Sequence, residues 1–226
     1  MNVKNGRTYY SIGVLALLLG GFGLIAEDVA EGETQAFDEA LLLNLRVPGH
    51  PDQPIGPHWL PEAVRDVTAL GSYSVLTIVV TLVVVYLLFV GRRATAALIA
   101  GSVITGALAS MILKSVFDRP RPDLTGVAEV FTASFPSGHA LTSAVTYLTI
   151  GAVLAGTTSS RMQRTFFIGS AIALTTLVGL SRIYLGVHYP TDVVGGWSLG
   201  AAWAIGAFLL GEWLQSRTAS GSGDAK

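Results

Sequence analysis

Six stretches of roughly 20 apolar residues, none interrupted by proline, constrain this chain more than any other feature it has. They fall near 9–26, 73–90, 94–113, 140–155, 166–180 and 193–214. Runs of that length match the thickness of a bilayer core, and all nine prolines lie between them, where a helix interior would not tolerate them. The expected fold is all-α: one polytopic membrane domain over 1–217, with six transmembrane helices. Composition agrees, because 51% of the residues are hydrophobic and 13% charged, against about 25% charged in a soluble domain. A net charge of −1 and a pI near 6.4 leave no basic stripe, which excludes nucleic acid as a partner. The absence of cysteine excludes disulfides and thiolate chemistry.

The loops set the orientation. Lys4, Arg7, Arg92, Arg93, Arg161, Arg164, Arg217 and Lys226 fall on one side of this arrangement, and an excess of Lys and Arg marks the cytoplasmic side. Both termini are therefore expected in the cytoplasm. The first span exceeds the roughly 7–15-residue apolar core of a cleaved signal peptide, so it is expected to stay as a helix. Residues 27–72 form the long outer loop, acidic and carrying Pro48, Pro51, Pro54, Pro57 and Pro61. Within it, 37–46 suits either a short amphipathic helix on the membrane surface or a helix packed on the bundle. The small, polar segment 218–226 is expected to be a disordered tail.

Ionisable groups are costly in a membrane and mark a site by default. Here they gather at three places: Lys114 to Pro122 after the third span, Pro136-Ser137-Gly138-His139 at the start of the fourth, and Ser181 to Asp192 after the fifth. The topology puts all three on the outer face. Three converging cations, Lys114, Arg121 and Arg182, suit a multiply charged oxyanion such as phosphate, arginine giving planar paired donors and lysine a point charge. Ser137 and Gly138 at a helix start add backbone N–H groups and the positive end of the dipole. Two imidazoles beside an anion site, His139 and His188, can divide the roles of nucleophile and general acid. Asp192, four residues after His188, can accept the imidazole N–H and fix its tautomer.

Lys114-x6-Arg121-Pro122, then Pro136-Ser137-Gly138-His139, then Ser181-Arg182-x5-His188-x3-Asp192 resembles the signature of the type 2 phosphatidic acid phosphatase superfamily. Every signature position is filled, in order. The resemblance implies an integral-membrane lipid phosphatase that works without metal or other cofactor, its active site at the outer membrane face. It further implies that His188 attacks phosphorus to form a phosphohistidine and His139 protonates the leaving oxygen. Asp192 would orient His188, while Lys114, Arg121, Ser137, Gly138 and Arg182 bind the phosphoryl oxygens. Substrates implied are undecaprenyl diphosphate, phosphatidylglycerol phosphate, phosphatidate and diacylglycerol diphosphate, with the diphosphate carrier favoured because the site is expected to face outward, where that carrier is released. The expected setting is a bacterial-type cytoplasmic (inner) membrane with the site facing the periplasm or exterior, a lipid phosphate as partner and no obligatory protein partner.

Three alternatives compete. A lipid phosphoryl transferase would pass the phosphoryl group to an acceptor other than water. A transporter would bind a lipid phosphate without hydrolysing it, although pure recognition would favour another cation at His188. Vanadium-dependent haloperoxidases and soluble acid phosphatases share the three motifs, but six spans argue against both. Other residues read as structural. Asp118, Arg119 and Asp123 match no signature position and read as loop or interfacial charges. His50 and His58 lack a metal-ligand spacing and read as solvent-exposed. Gly196 and Gly200 form a small-xxx-small pair suited to helix packing within the chain, and Trp197 and Trp203 read as packing residues.

Overall fold

Without water in the bilayer core every backbone N–H and C=O must be paired within its own segment, so even β-branched runs are driven into helix. The computed structural model, which describes residues 3–124 and 132–221, shows this in Tyr73–Phe89, a helix made largely of Val, Leu and Ile. Eight helices are described: α1 (Val3–Glu31), α2 (Gln35–Leu43), α3 (Leu60–Ala69), α4 (Tyr73–Phe89), α5 (Arg93–Phe117), α6 (Gly138–Gly156), α7 (Arg161–Tyr184) and α8 (Pro190–Gly221). Serine caps open two of them: the Ser72 hydroxyl accepts from the Val75 N–H at 3.3 Å and that of Ser160 from the Gln163 N–H at 3.4 Å, each satisfying one orphan donor of a first turn. Five helices are long and apolar enough to cross a membrane. The pair α3 and α4, bent by 44° at Gly71, supplies the sixth.

α6 is the hub, packing against α5, α7 and α8, while α1 lies on α8 and α3 on α7. Lipid is as apolar as leucine, so helices associate here through close packing of small residues. Gly196 and Gly200 on α8 supply it. A Cβ at 196 would stand 2.8 Å from the Ser137 carbonyl oxygen and 3.0 Å from the Ala140 Cβ, and one at 200 would stand 2.6 Å from the Ala144 Cβ. Trp197 and Trp203 pack in the same helix and donate their indole N–H groups to the Thr175 carbonyl and the Thr105 hydroxyl, both at 3.0 Å. Large apolar side chains such as Tyr10, Leu17, Leu82, Phe89, Met111 and Met162 point outward, the reverse of a water-soluble surface.

Segment 27–72, expected as an outer loop with a surface or packed helix at 37–46, is largely structured. α1 runs on to Glu31, and α2, a two-stranded antiparallel hairpin (β1, Arg46–Val47; β2, His50–Pro54) and α3 fill the rest. The hairpin turns at Gly49, whose φ of +81° suits glycine. His50 and His58 are exposed, as expected. α2 packs on the bundle: Leu42 is fully buried with Ala140, Ile183, Tyr189 and Val193, and Asp38 is fully buried too. At the other terminus α8 continues to Gly221, into the segment expected as a tail, and 222–226 lie outside the described residues.

Candidate active site

The chain directions bring the end of α5 and the starts of α6 and α8 together with the end of α7, so all three polar clusters meet at one end of the bundle. Local chemistry makes each turn. α5 stops at Asp118, whose φ of +42° is a left-handed conformation that aspartate tolerates better than most residues. α7 ends in a Schellman arrangement: Gly186 has φ +70°, its N–H bonds to the Ile183 carbonyl at 2.9 Å, and the Val187 N–H reaches Arg182 at 3.2 Å. That turn needs a glycine, and it delivers His188 to the site two residues later. Asp192 sits in the first turn of α8 and accepts the Tyr189 N–H at 2.9 Å, half of a capping box. Phe135 pins the loop before α6 into the bundle, fully buried between Phe22 and Phe117, with ring centroids at 5.8 and 4.9 Å.

His188 is 1% exposed, and its Nδ1 lies 3.3 Å from Oδ2 of Asp192. The Ser134 hydroxyl donates to that same oxygen and stands 3.3 Å from Nδ1. On the other ring nitrogen, Arg121 donates from Nη1 to Nε2 at 3.2 Å. This pattern assigns the proton to Nδ1 and the lone pair to Nε2. Burial outweighs the hydrogen bond and charge of Asp192 and pushes His188 from 6.5 down to about 3, so the imidazole is neutral at physiological pH.

The cations surround this pair. Arg121 is held by the Val187 carbonyl at 2.8 Å and by Thr132, whose carbonyl and hydroxyl it meets at 2.8 and 3.0 Å. The Lys114 ammonium donates to the Ala133 carbonyl and, at 3.4 Å, to that of Ser134. Arg182 donates to the Thr68 hydroxyl at 3.2 Å, while its Nε is buried with no partner. The Ser137 hydroxyl is likewise buried and unpartnered, at the N-cap of α6, whose first N–H groups have no intrahelical acceptor. Gly138 keeps this corner open, since a Cβ there would meet the Tyr73 hydroxyl at 3.2 Å and the Lys114 Cε at 3.6 Å. His139 is half-buried, within electrostatic reach of Arg182, Arg121 and Lys114, with its ring against the α3–α4 elbow at Gly71. Among the described residues no group of three His, Cys, Asp or Glu side chains is set to hold a metal ion.

One sequence reading is corrected here. Arg119, expected as a loop or interfacial charge, is 7% exposed and bonds to Asp192 Oδ1 and to Asp38 Oδ2, each at 2.7 Å. Ser134, Thr132, Thr68 and Asp38 also contact the site residues and match no signature position. Each is a common residue in a loop or amphipathic segment, and only the folded chain shows what it touches.

Residues 94–216 match the PAP2 superfamily. The chain belongs to that superfamily. Within it, this PAP2 phosphatase is 34% identical over 145 residues to phosphatidylglycerophosphatase B of Bacillus subtilis, an alignment covering 63% of this chain and 70% of that protein. The crystal structure of a transmembrane PAP2-type phosphatidylglycerolphosphate phosphatase from Bacillus subtilis superposes with a TM-score of 0.77 at 28% identity, over 90% of this chain and 96% of that one. A shorter match, 43% identical over 68 residues, covers 30% of this chain and 29% of an undecaprenyl-diphosphatase from Sulfolobus acidocaldarius. The all-α membrane fold and the phosphatase class read from the sequence are thus supported by known PAP2 proteins.

Proposed function

We propose that this PAP2 lipid phosphatase removes the terminal phosphate of a membrane lipid at the non-cytoplasmic face, through a phosphohistidine. The observation that carries the reading is the neutral His188, with Nδ1–H on Asp192 and the Nε2 lone pair toward the cations. Nε2 attacks phosphorus, the bond to the leaving oxygen breaks, and His139 donates its proton to that oxygen. Water then attacks the phosphohistidine, giving its proton back to His139, and orthophosphate leaves with His188 restored. Asp192 stabilises the imidazolium character that develops at His188. Lys114, Arg121, Arg182, the Ser137 hydroxyl and the N–H groups at Gly138 bind the phosphoryl oxygens and offset the charge of the transition state. The unpartnered Ser137 hydroxyl and Arg182 Nε support this, because buried donors are otherwise nearly always satisfied. Arg121 must exchange its contact with Nε2 for one with the substrate before attack.

The orientation rests on Arg92, Arg93, Arg161 and Arg164, which lie at the starts of α5 and α7, at the end opposite the site, and so favour a cytoplasmic location for that end. Phosphatidylglycerol phosphate is the first candidate substrate, since the relative named for that activity aligns over the longer stretch. Undecaprenyl diphosphate is the second, favoured by the higher identity over the shorter stretch. The test is phosphate release by purified protein in detergent, with chelator present, from phosphatidylglycerol phosphate, undecaprenyl diphosphate, phosphatidate and a soluble ester, beside His188→Ala. Release from a lipid that disappears in the variant is expected. Folded protein that binds these lipids and releases no phosphate, or His188→Ala working at near wild-type rate, overturns the proposal.

A further inference from the structure

We infer that Arg119 and Asp38 are positioning residues for Asp192, and that through them helix α2 of the outer segment is built into the catalytic machinery. The inference rests on the reading of Asp192 as the acid that orients His188. One guanidinium joins two buried carboxylates: Nη1 donates to Asp192 Oδ1 and Nη2 to Asp38 Oδ2, each at 2.7 Å. The same two nitrogens meet the Thr191 and Thr34 hydroxyls at 2.9 and 3.1 Å, and the group stacks 4.3 Å above the Tyr189 ring. Asp38 also accepts from the Thr191 N–H at 3.0 Å and the Thr191 hydroxyl at 2.6 Å. Both carboxylates are fully buried.

The division of labour on Asp192 is specific. Oδ2 faces His188, Ser134 and the Tyr189 N–H, while Arg119 holds the far oxygen, Oδ1. Without that bond nothing in the described structure fixes the carboxylate from behind. Charge gives Asp38 its part. Arg119 alone would cancel the buried negative charge of Asp192 and weaken its support for a cationic His188. With Asp38 the cluster keeps a net charge of −1, and the carboxylate facing the histidine retains its effect. A plain structural pair would not require the second acid, since a lone buried Arg–Asp pair is already neutral.

The test is a double-mutant cycle on full-length protein in detergent, read as kcat and KM for phosphate release from phosphatidylglycerol phosphate and undecaprenyl diphosphate. Asp38→Asn, which keeps the shape and removes the charge, is expected to lower kcat about tenfold with KM within about twofold, as coupled neighbours do. In an Asp192→Asn background it is expected to do nothing further. Arg119→Lys, which cannot bridge two carboxylates, should show the same pattern and carries the test if Asp38→Asn does not fold. Equal, additive losses in both backgrounds, or a kcat unchanged in both single variants, overturn the inference while leaving the role of Asp192 intact. An Asp192→Asn enzyme with wild-type kcat overturns the reading beneath it instead.

Discussion

Gly196 faces the beginning of α6, and replacing it by alanine tests whether the close approach of α8 sets the geometry of the proposed phosphate site. The added Cβ would stand 2.8 Å from the Ser137 carbonyl oxygen, 3.0 Å from the Ala140 Cβ and 3.1 Å from the Leu141 nitrogen. Two of these are backbone atoms, so no side chain can swing aside. The start of α6 must retreat by about 0.6 Å, from 2.8 Å to the 3.4 Å at which ordinary van der Waals contact begins. Since a misplacement of about 1 Å can cost about 100-fold in rate, this shift of Ser137, Gly138 and His139 is expected to lower kcat/KM on the order of tenfold. Overpacking costs about 1–3 kcal/mol, and the better helix propensity of alanine returns up to about 1 kcal/mol. The melting temperature should therefore fall by no more than several degrees. Gly206→Ala on the same helix is the control, because a Cβ there has nothing within 4 Å; it points into a cleft of about 490 Å³ between α1, α5 and α8. Phosphate release and thermal unfolding of the two variants, measured side by side in one detergent, decide the matter. Wild-type kcat/KM in Gly196→Ala, or an equal loss in Gly206→Ala, would refute the reasoning.

Two further outcomes are expected. Folded His188 is held neutral with its pKa depressed from 6.5 to about 3, whereas the unfolded chain takes up a proton below about 6.5. The contribution of this group to stability is thus intact above pH 6.5 and lost as pH falls toward 3, at no more than about 1.4 kcal/mol per pH unit; melting temperatures from pH 7.5 to 4.5 should fall less steeply in His188→Gln than in wild type, and parallel slopes would contradict this. Arg121→Lys keeps the charge but loses the planar fork that meets Thr132, Val187 and His188 at once, so kcat/KM should drop about 10–100-fold, with a rate near wild type counting against an oriented guanidinium.

What could be read without a structure was whatever a short stretch of chain encodes by itself. The length and apolarity of six runs dictate helices because a bilayer offers the backbone no other partner, and Gly196 and Gly200 announce a packing face by their spacing. Of the candidate site residues, His139, His188, Asp192, Lys114, Arg121 and Arg182 stand out because ionisable groups are otherwise shed from such a sequence, and Ser137 and Gly138 because they open a helix beside them. The segment 27–72 was less legible. Its prolines and acids read as a loop and its stretch 37–46 left a surface helix and a packed one open; Leu42 and Asp38 pack into the site end, because a nine-residue helix takes its stability from tertiary burial and not from its own propensity.

Arg119 marks the boundary between the two kinds of information. Its sequence neighbours give it the look of an interfacial charge, and no spacing rule connects it with Asp38 or Asp192, which lie 81 and 73 residues away. The sequence alone determined the spans, the grouping of polar residues and the chemistry those residue types allow. Only the tertiary structure decided which carboxylate meets which guanidinium, because a buried charge is tolerated only where the fold brings an opposite one within about 3 Å and satisfies its remaining hydrogen bonds, and that proximity is a property of the packed bundle, not of any local run of residues.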